Sequence, residues 1–127
     1  MKYAISCLVA AVGLALASPA LADGDAAAGE KVFKKCKACH AVGDGAKNKV
    51  GPALNGIVDA PAAQVEGFKY SKSMVEVAGG GLVWDEETLT AFLTKPKKVV
   101  PKTKMSFAGL RKEADIDNVI AYLQSFQ

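Results

Sequence analysis

From Cys36 to His40 the chain reads Cys-Lys-Ala-Cys-His, and His40 is the one histidine among its 127 residues. Two thiols three residues apart, with an imidazole directly behind them, suit four kinds of chemistry that make different demands on the rest of the chain. A dithiol redox site of the thioredoxin kind needs a strand before the motif and a βαβ pattern around it. No segment here alternates convincingly with the period of two that marks a half-buried strand. A zinc site needs a fourth ligand at sensible spacing, and beyond the motif only Cys7 near the N-terminus is of the right type. A plain disulfide across so short a loop removes little chain entropy and leaves His40 without a part. Covalent haem attachment uses all three residues: two thioethers tie the porphyrin edge to the chain, and the next side chain brings an imidazole to the iron.

The N-terminus predicts where this chemistry takes place. Lys2 precedes an apolar run through Ile5, Leu8, Val9, Val12, Leu14 and Leu16, then Pro19 and the small-residue pattern Ala20-Leu21-Ala22. That order is a secretory signal cleaved after Ala22, giving a signal peptide over 1–22 and a single domain over 23–127. A retained membrane anchor fits less well, because the apolar stretch from about Ala4 to Ala17 is short of the roughly 20 residues a spanning helix needs. Cys7 leaves with the signal, and it lies before the apolar stretch and not at its end, which argues against a lipid-modified cysteine. The expected location is the periplasm, with Cys36 and Cys39 the only cysteines left. A domain of this size is marginal by core alone and gains from a large buried ligand. The formal charge of +3 is too weak to suggest nucleic acid.

An electron-carrying haem iron keeps two strong axial ligands in both oxidation states, so that little rearranges on transfer. With His40 used, methionine is the natural partner, and a His/Met pair raises the reduction potential. Of Met74 and Met105, Met105 lies in the turn-rich stretch VVPKTKMSFAGL, between Pro101 and Gly109, where a loop can present the thioether. Met74, in YSKSMVEV, suits a short helix in which methionine is ordinary core.

The stretches GEKVFKKCKACHAV, KNKVGPALNGI, GFKYS, WDEETLTAFLTKPKK, VPKTKMSFAGL and DNVIAYL, in this order, together resemble a class I c-type cytochrome of the bacterial c2 type, close to mitochondrial cytochrome c. The resemblance spans essentially the whole of 23–127. It implies an all-α fold of three main helices and loops wrapped around one covalently bound haem c. It implies that the Pro52 carbonyl accepts a hydrogen bond from the far nitrogen of His40, that Tyr70 and Trp84 face the haem propionates, and that Thr103 bonds the inner propionate. The sequence departs from the family pattern at Ala60, where an arginine is usual, at Phe92, where many members have tyrosine, and at Lys102, where glycine normally precedes the loop threonine. The missing arginine is expected to lower the potential. The segment from Ser73 to Gly81 is longer than in close relatives.

Periodicity independently supports helices. Asp25 to about Lys37 puts Gly29, Val32, Phe33 and Cys36 on one face. Asp85 is a good N-cap, with Glu86 and Glu87 behind it, for a helix carrying Leu89, Phe92 and Leu93 and ending before Pro96. From about Glu113 to Ser125, Ile116, Val119, Ile120 and Leu123 form one apolar stripe. In the family the first and last helices cross at a glycine, which here is Gly29 against Val119 and Tyr122.

With both axial positions taken and no second histidine, the chain is expected to carry single electrons and not to transform a substrate. Lysines cluster near the haem-binding segments, with Lys35, Lys37, Lys49, Lys97, Lys98 and Lys104 the expected docking set, while acids such as Asp85, Glu86, Glu113 and Asp117 sit elsewhere in the chain. Such a one-sided ring steers a carrier to acidic partners without binding them tightly. The resemblance implies a monomeric respiratory or photosynthetic shuttle. Its donor would be the cytochrome bc1 complex, and its acceptor cytochrome c oxidase, a photosynthetic reaction centre or a periplasmic reductase.

Overall fold

The computed structural model describes residues 24–127 and the isolated Gly13; the expected signal segment therefore lies, apart from that glycine, outside the described residues. Five helical segments follow one another: α1 (Ala26–Phe33), α2 (Lys72–Gly79), α3 (Glu86–Thr94), α4 (Pro96–Val99) and α5 (Glu113–Gln124). Among the described residues there is no strand, only an isolated antiparallel bridge between Pro61 and Val83. The all-α expectation holds, and α2, as long as α1, and the short α4 stand beside the three expected helices.

Local chemistry explains the helix limits. The Asp25 carboxylate accepts from the Ala27 and Ala28 N–H groups at 2.8 and 3.4 Å, and three alanines, the strongest helix formers, follow it. Regular α-helix ends at Phe33, earlier than the expected Lys37. Beyond it the Lys35 and Cys36 N–H groups bond the carbonyls three residues back, at 3.1 and 2.8 Å, so the chain tightens as helix ends often do. The α3 expectation holds at both ends. Asp85 accepts from the Thr88 N–H at 2.7 Å, and Lys95, forced out of helical geometry by the proline after it, sits at φ −154°. Pro96 then opens α4 at its first position, where a missing N–H costs nothing.

The α5 stripe is the floor of the core: Ile116, Val119, Ile120 and Leu123 are all buried. They meet Phe33 of α1 and the α3 side of the molecule, for α5 packs on both helices. The close approach of α1 and α5 depends on Gly29. A Cβ there would lie 1.9 Å from the Asn118 carbonyl oxygen and 2.8 Å from the Tyr122 Cβ. The crossing expected at Gly29 is present, with Asn118 and Tyr122 as its nearest neighbours. Asn118 Oδ1 also accepts from the Asp25 N–H at 2.9 Å, pinning the start of α1. By contrast, α2 packs against no other helix.

Candidate functional site

The C-x-x-C-H segment is wound by its own backbone, with the His40 N–H donating to the Cys36 carbonyl at 2.9 Å. Cys36 and Cys39 are free and half-buried. Burial pushes the Cys36 thiol up, the Lys35 charge pulls it partly back, and Cys39 pushes it up again. Among the described residues no group of three His, Cys, Asp or Glu side chains gathers that could hold a bare metal ion.

His40 is held by two neighbours in the next loop. Its Nδ1 lies 2.7 Å from the Pro52 carbonyl. A carbonyl can only accept, so Nδ1 carries the proton and Nε2 is left with its lone pair. The ring also lies against Gly51, where a Cβ would come within 2.4 Å of Cε1 and 2.8 Å of both ring nitrogens. Burial lowers the His40 pKa, which favours the neutral ring; the Pro52 bond opposes this and the Lys49 charge adds to it. Two backbone bonds lace the two loops, Gly51 N–H to the Cys39 carbonyl at 2.8 Å and Leu54 N–H to Ala41 at 2.9 Å, and a third, Lys49 N–H to Gly51 at 2.9 Å, tightens the second loop on itself. The Lys49 ammonium donates to the Lys37 carbonyl at 2.6 Å.

The other expected residues fall into two groups. Trp84 is buried and stacks on Phe92, with ring centroids 4.9 Å apart. Its backbone is clamped between the Asp59 N–H and the Ala60 carbonyl, both at 2.8 Å. The half-buried Tyr70 hydroxyl accepts from the Val65 N–H at 3.0 Å, which leaves its own proton free to donate. Tyr70 also lines a cavity of ≈ 330 Å³, along with Ile57, Ala60 and Val65. Met105 is half-buried against the core, and its N–H donates to Thr103 Oγ1 at 3.2 Å. Met74 is likewise half-buried against the core, on α2. Burial thus does not separate the two methionines. Lys35, Lys37, Lys49, Lys97, Lys98 and Lys104 are all exposed.

These residues fit a covalently held haem. Two free thiols precede an imidazole whose outward nitrogen is unprotonated, and half-buried apolar side chains such as Leu54, Ile57, Leu82, Val99 and Phe107 line the core without being covered by it. Gly51 went unremarked in the sequence, because a single loop glycine carries no periodic signal; its place directly before Pro52 was the available clue.

Residues 26–127 match the family model for cytochrome c. The chain belongs to the cytochrome c family. It is 54% identical over 104 residues to cytochrome c2 of Rhodoblastus acidophilus, an alignment spanning 82% of this chain and 94% of that one. It is 52% identical over 101 residues to cytochrome c2 of Agrobacterium tumefaciens (strain II Chrys), spanning 80% and 91% of the two chains. The solved structure of cytochrome c2 from Rhodospirillum centenum superposes with a TM-score of 0.77 at 42% identity, covering 81% of this chain and 98% of that one. The chain is therefore a c2-like, class I c-type cytochrome that carries one covalently attached haem c, with Cys36 and Cys39 consistent with its attachment. It is an electron-transfer protein and not an enzyme, and its role is that of a shuttle serving membrane redox partners. No helix among the described residues is long and apolar enough to cross a membrane.

Proposed function

We propose that this chain is a periplasmic single-electron carrier in which His40 and Met105 would hold the haem iron. The observation that carries the reading is the state of His40, which follows two free thiols, is oriented by Pro52 and Gly51, and has Nε2 unprotonated. The bound haem supplies a one-electron iron couple; everything else is done by the polypeptide. Cys36 and Cys39 would hold the haem through thioethers. Pro52 fixes the His40 ring and, by accepting a hydrogen bond from Nδ1–H, makes Nε2 a better donor. Met105 supplies a soft thioether that favours ferrous iron and raises the potential. The Tyr70 hydroxyl and Trp84 indole N–H are donors suited to carboxylates, and Thr103, which supports Met105, would also hold a propionate. Two ligands kept in both oxidation states leave little to reorganise when an electron moves.

Cleavage after Ala22 would release residues 23–127 as one monomeric domain. The exposed lysines would steer it to acidic surfaces. The chemistry suits the cytochrome bc1 complex as donor, and cytochrome c oxidase, a photosynthetic reaction centre or a periplasmic reductase as acceptor.

The test compares two volume-conserving substitutions, each costing below about 1.5 kcal/mol in packing. Met105→Leu should abolish the long-wavelength band of sulfur-ligated ferric haem, lower the reduction potential and open the ferrous protein to carbon monoxide. Met74→Leu should do none of these. The opposite pattern would transfer the ligand role to Met74 on α2.

A further inference from the structure

The loop carrying Met105 opens with a turn that its own sequence does not favour. The Thr103 N–H donates to the Val100 carbonyl at 3.1 Å, closing a four-residue turn with Pro101 second and Lys102 third. Proline suits the second position of both common turn types. Lys102 stands at φ +57°, the left-handed value that the third position of a type II turn requires and that glycine adopts far more readily than lysine. A type I turn would give Lys102 a negative φ, and the two types differ by rotation of one unit, the peptide between Pro101 and Lys102. The carbonyl of that unit belongs to Pro101. It accepts a hydrogen bond from the hydroxyl of Ser73, a half-buried residue in the first turn of α2. Rotating the unit would swing the acceptor away from Ser73.

We propose that Ser73 is a positioning residue that holds the Pro101–Lys102 peptide in its present orientation, against the preference of Lys102, and so fixes where the loop presents Met105. The inference rests on Met105 as the iron ligand. The turn leads directly into Thr103, whose Oγ1 receives the Met105 N–H, so a rotated peptide would move the support beneath the thioether. Since α2 packs on no other helix, the bond to Pro101 also joins a weakly anchored element to the loop, so that loosening either loosens the other.

The experiment uses haem-loaded wild type, Ser73→Ala, Ser73→Thr, Lys102→Gly and the Ser73→Ala/Lys102→Gly double variant. Two quantities are followed: the orientation of the Pro101–Lys102 peptide, read without reference to iron as the nuclear Overhauser contact between Pro101 Hα and the residue-102 N–H, close in a type II turn and distant in type I, and the rate at which added imidazole displaces the axial ligand from ferric iron. In Ser73→Ala, loss of one net hydrogen bond should weaken the contact and speed imidazole entry by roughly fivefold. Threonine, which keeps the hydroxyl, should restore both. With glycine at 102 the turn no longer needs the latch, and Ser73→Ala should then leave the contact in place and change the rate by less than about twofold. An undiminished contact in Ser73→Ala overturns the latch, as does an equal effect with lysine or glycine at 102. A weakened contact with unchanged imidazole entry overturns its role in positioning Met105. The ligand assignment itself stands or falls separately, on the Met105→Leu spectrum.

Discussion

Gly29→Ala tests the frame of the molecule, and its cost can be worked from the crossing of α1 and α5. The added Cβ would stand 1.9 Å from the Asn118 carbonyl oxygen, whereas ordinary contact begins near 3.4 Å. The obstacle is helix backbone, which cannot turn aside as a side chain can, so the helices must part by roughly the difference, about 1.5 Å. A radial gap of only 0.5–1 Å forfeits about a quarter to a half of a dispersion contact. Phe33, Val119, Ile120 and Leu123, all at or below 4% exposure, pack around this crossing. Full burial of each such side chain is worth about 1.5–3 kcal/mol, so loosening two or three of them costs about 2–4 kcal/mol. Alanine returns up to about 1 kcal/mol through its better helix propensity. The expected net loss is about 1–3 kcal/mol, a large part of the stability of a small domain.

Guanidinium unfolding of the haem-loaded protein, followed by far-ultraviolet circular dichroism, measures this loss as a lower midpoint at unchanged slope. Ala27→Gly, on the exposed face of the same helix, is the control and should cost about 1 kcal/mol from propensity alone. If Gly29→Ala proves as stable as wild type or more so, helix propensity outweighs the crossing, and the close approach is not what holds α1 to α5.

Three further outcomes are expected. Gly51→Ala should push the His40 ring off the Pro52 carbonyl, seen as loss or a large shift of the Nδ1 proton resonance, with about 1–3 kcal/mol of destabilisation from overpacking. Charge reversal at Lys35 or Lys98 should slow electron transfer with an acidic partner more than reversal at Lys112, and the difference should fade as ionic strength passes about 0.1 M, where the screening length nears 10 Å; equal effects at all three would remove the case for a localised surface. The Asp85 carboxyl is held below the ordinary aspartate range by its hydrogen bonds to Thr88. A depressed folded pKa gives stability that is present above the unfolded value and lost as pH falls through the folded one, so Asp85→Asn, which keeps a capping oxygen but not the charge, should flatten the acid limb of the stability curve and lose the carboxylate's contribution at neutral pH.

What the sequence disclosed follows how locally each feature is determined. The limits of α3 were legible because Asp85 and Pro96 act within one turn of themselves, and α5 because four apolar residues recur at helical spacing. The end of α1 was misplaced by a few residues, since Lys34 to Lys37 are as helix-prone as what precedes them and only the tightened bonds to Lys31, Val32 and Phe33 end the regular helix. The segment from Ser73 to Gly81 resisted reading because α2 has no buried residue: its side chains lie half against the core, which produces no clean stripe. Gly51 and Ser73 were invisible for another reason. Each matters through a residue remote in sequence, His40 across 11 positions and Pro101 across 28; Gly51 had only its place beside Pro52 to mark it, and for Ser73 nothing in the local pattern points across the gap.

Frame and site are therefore built by different means, and the difference has consequences for variants. Helix α5 and the face of α1 it meets are held by buried area, with Ile120 at 0% and Phe33 at 1% exposure; damage there is paid in global unfolding. The candidate ligands are instead held by single hydrogen bonds in the loops, His40 to Pro52 across two of them and Met105 to Thr103 within one, with Ser73 to Pro101 behind the second. A lost bond of that kind changes a local opening equilibrium, which need not approach the free energy of whole-domain unfolding. Gly29→Ala should consequently lower the denaturation midpoint while leaving imidazole entry in the folded protein close to wild type. Ser73→Ala should do the reverse. If the two variants moved both quantities in the same proportion, ligand opening would proceed through global unfolding, and the loops could not be tuned independently of the helices.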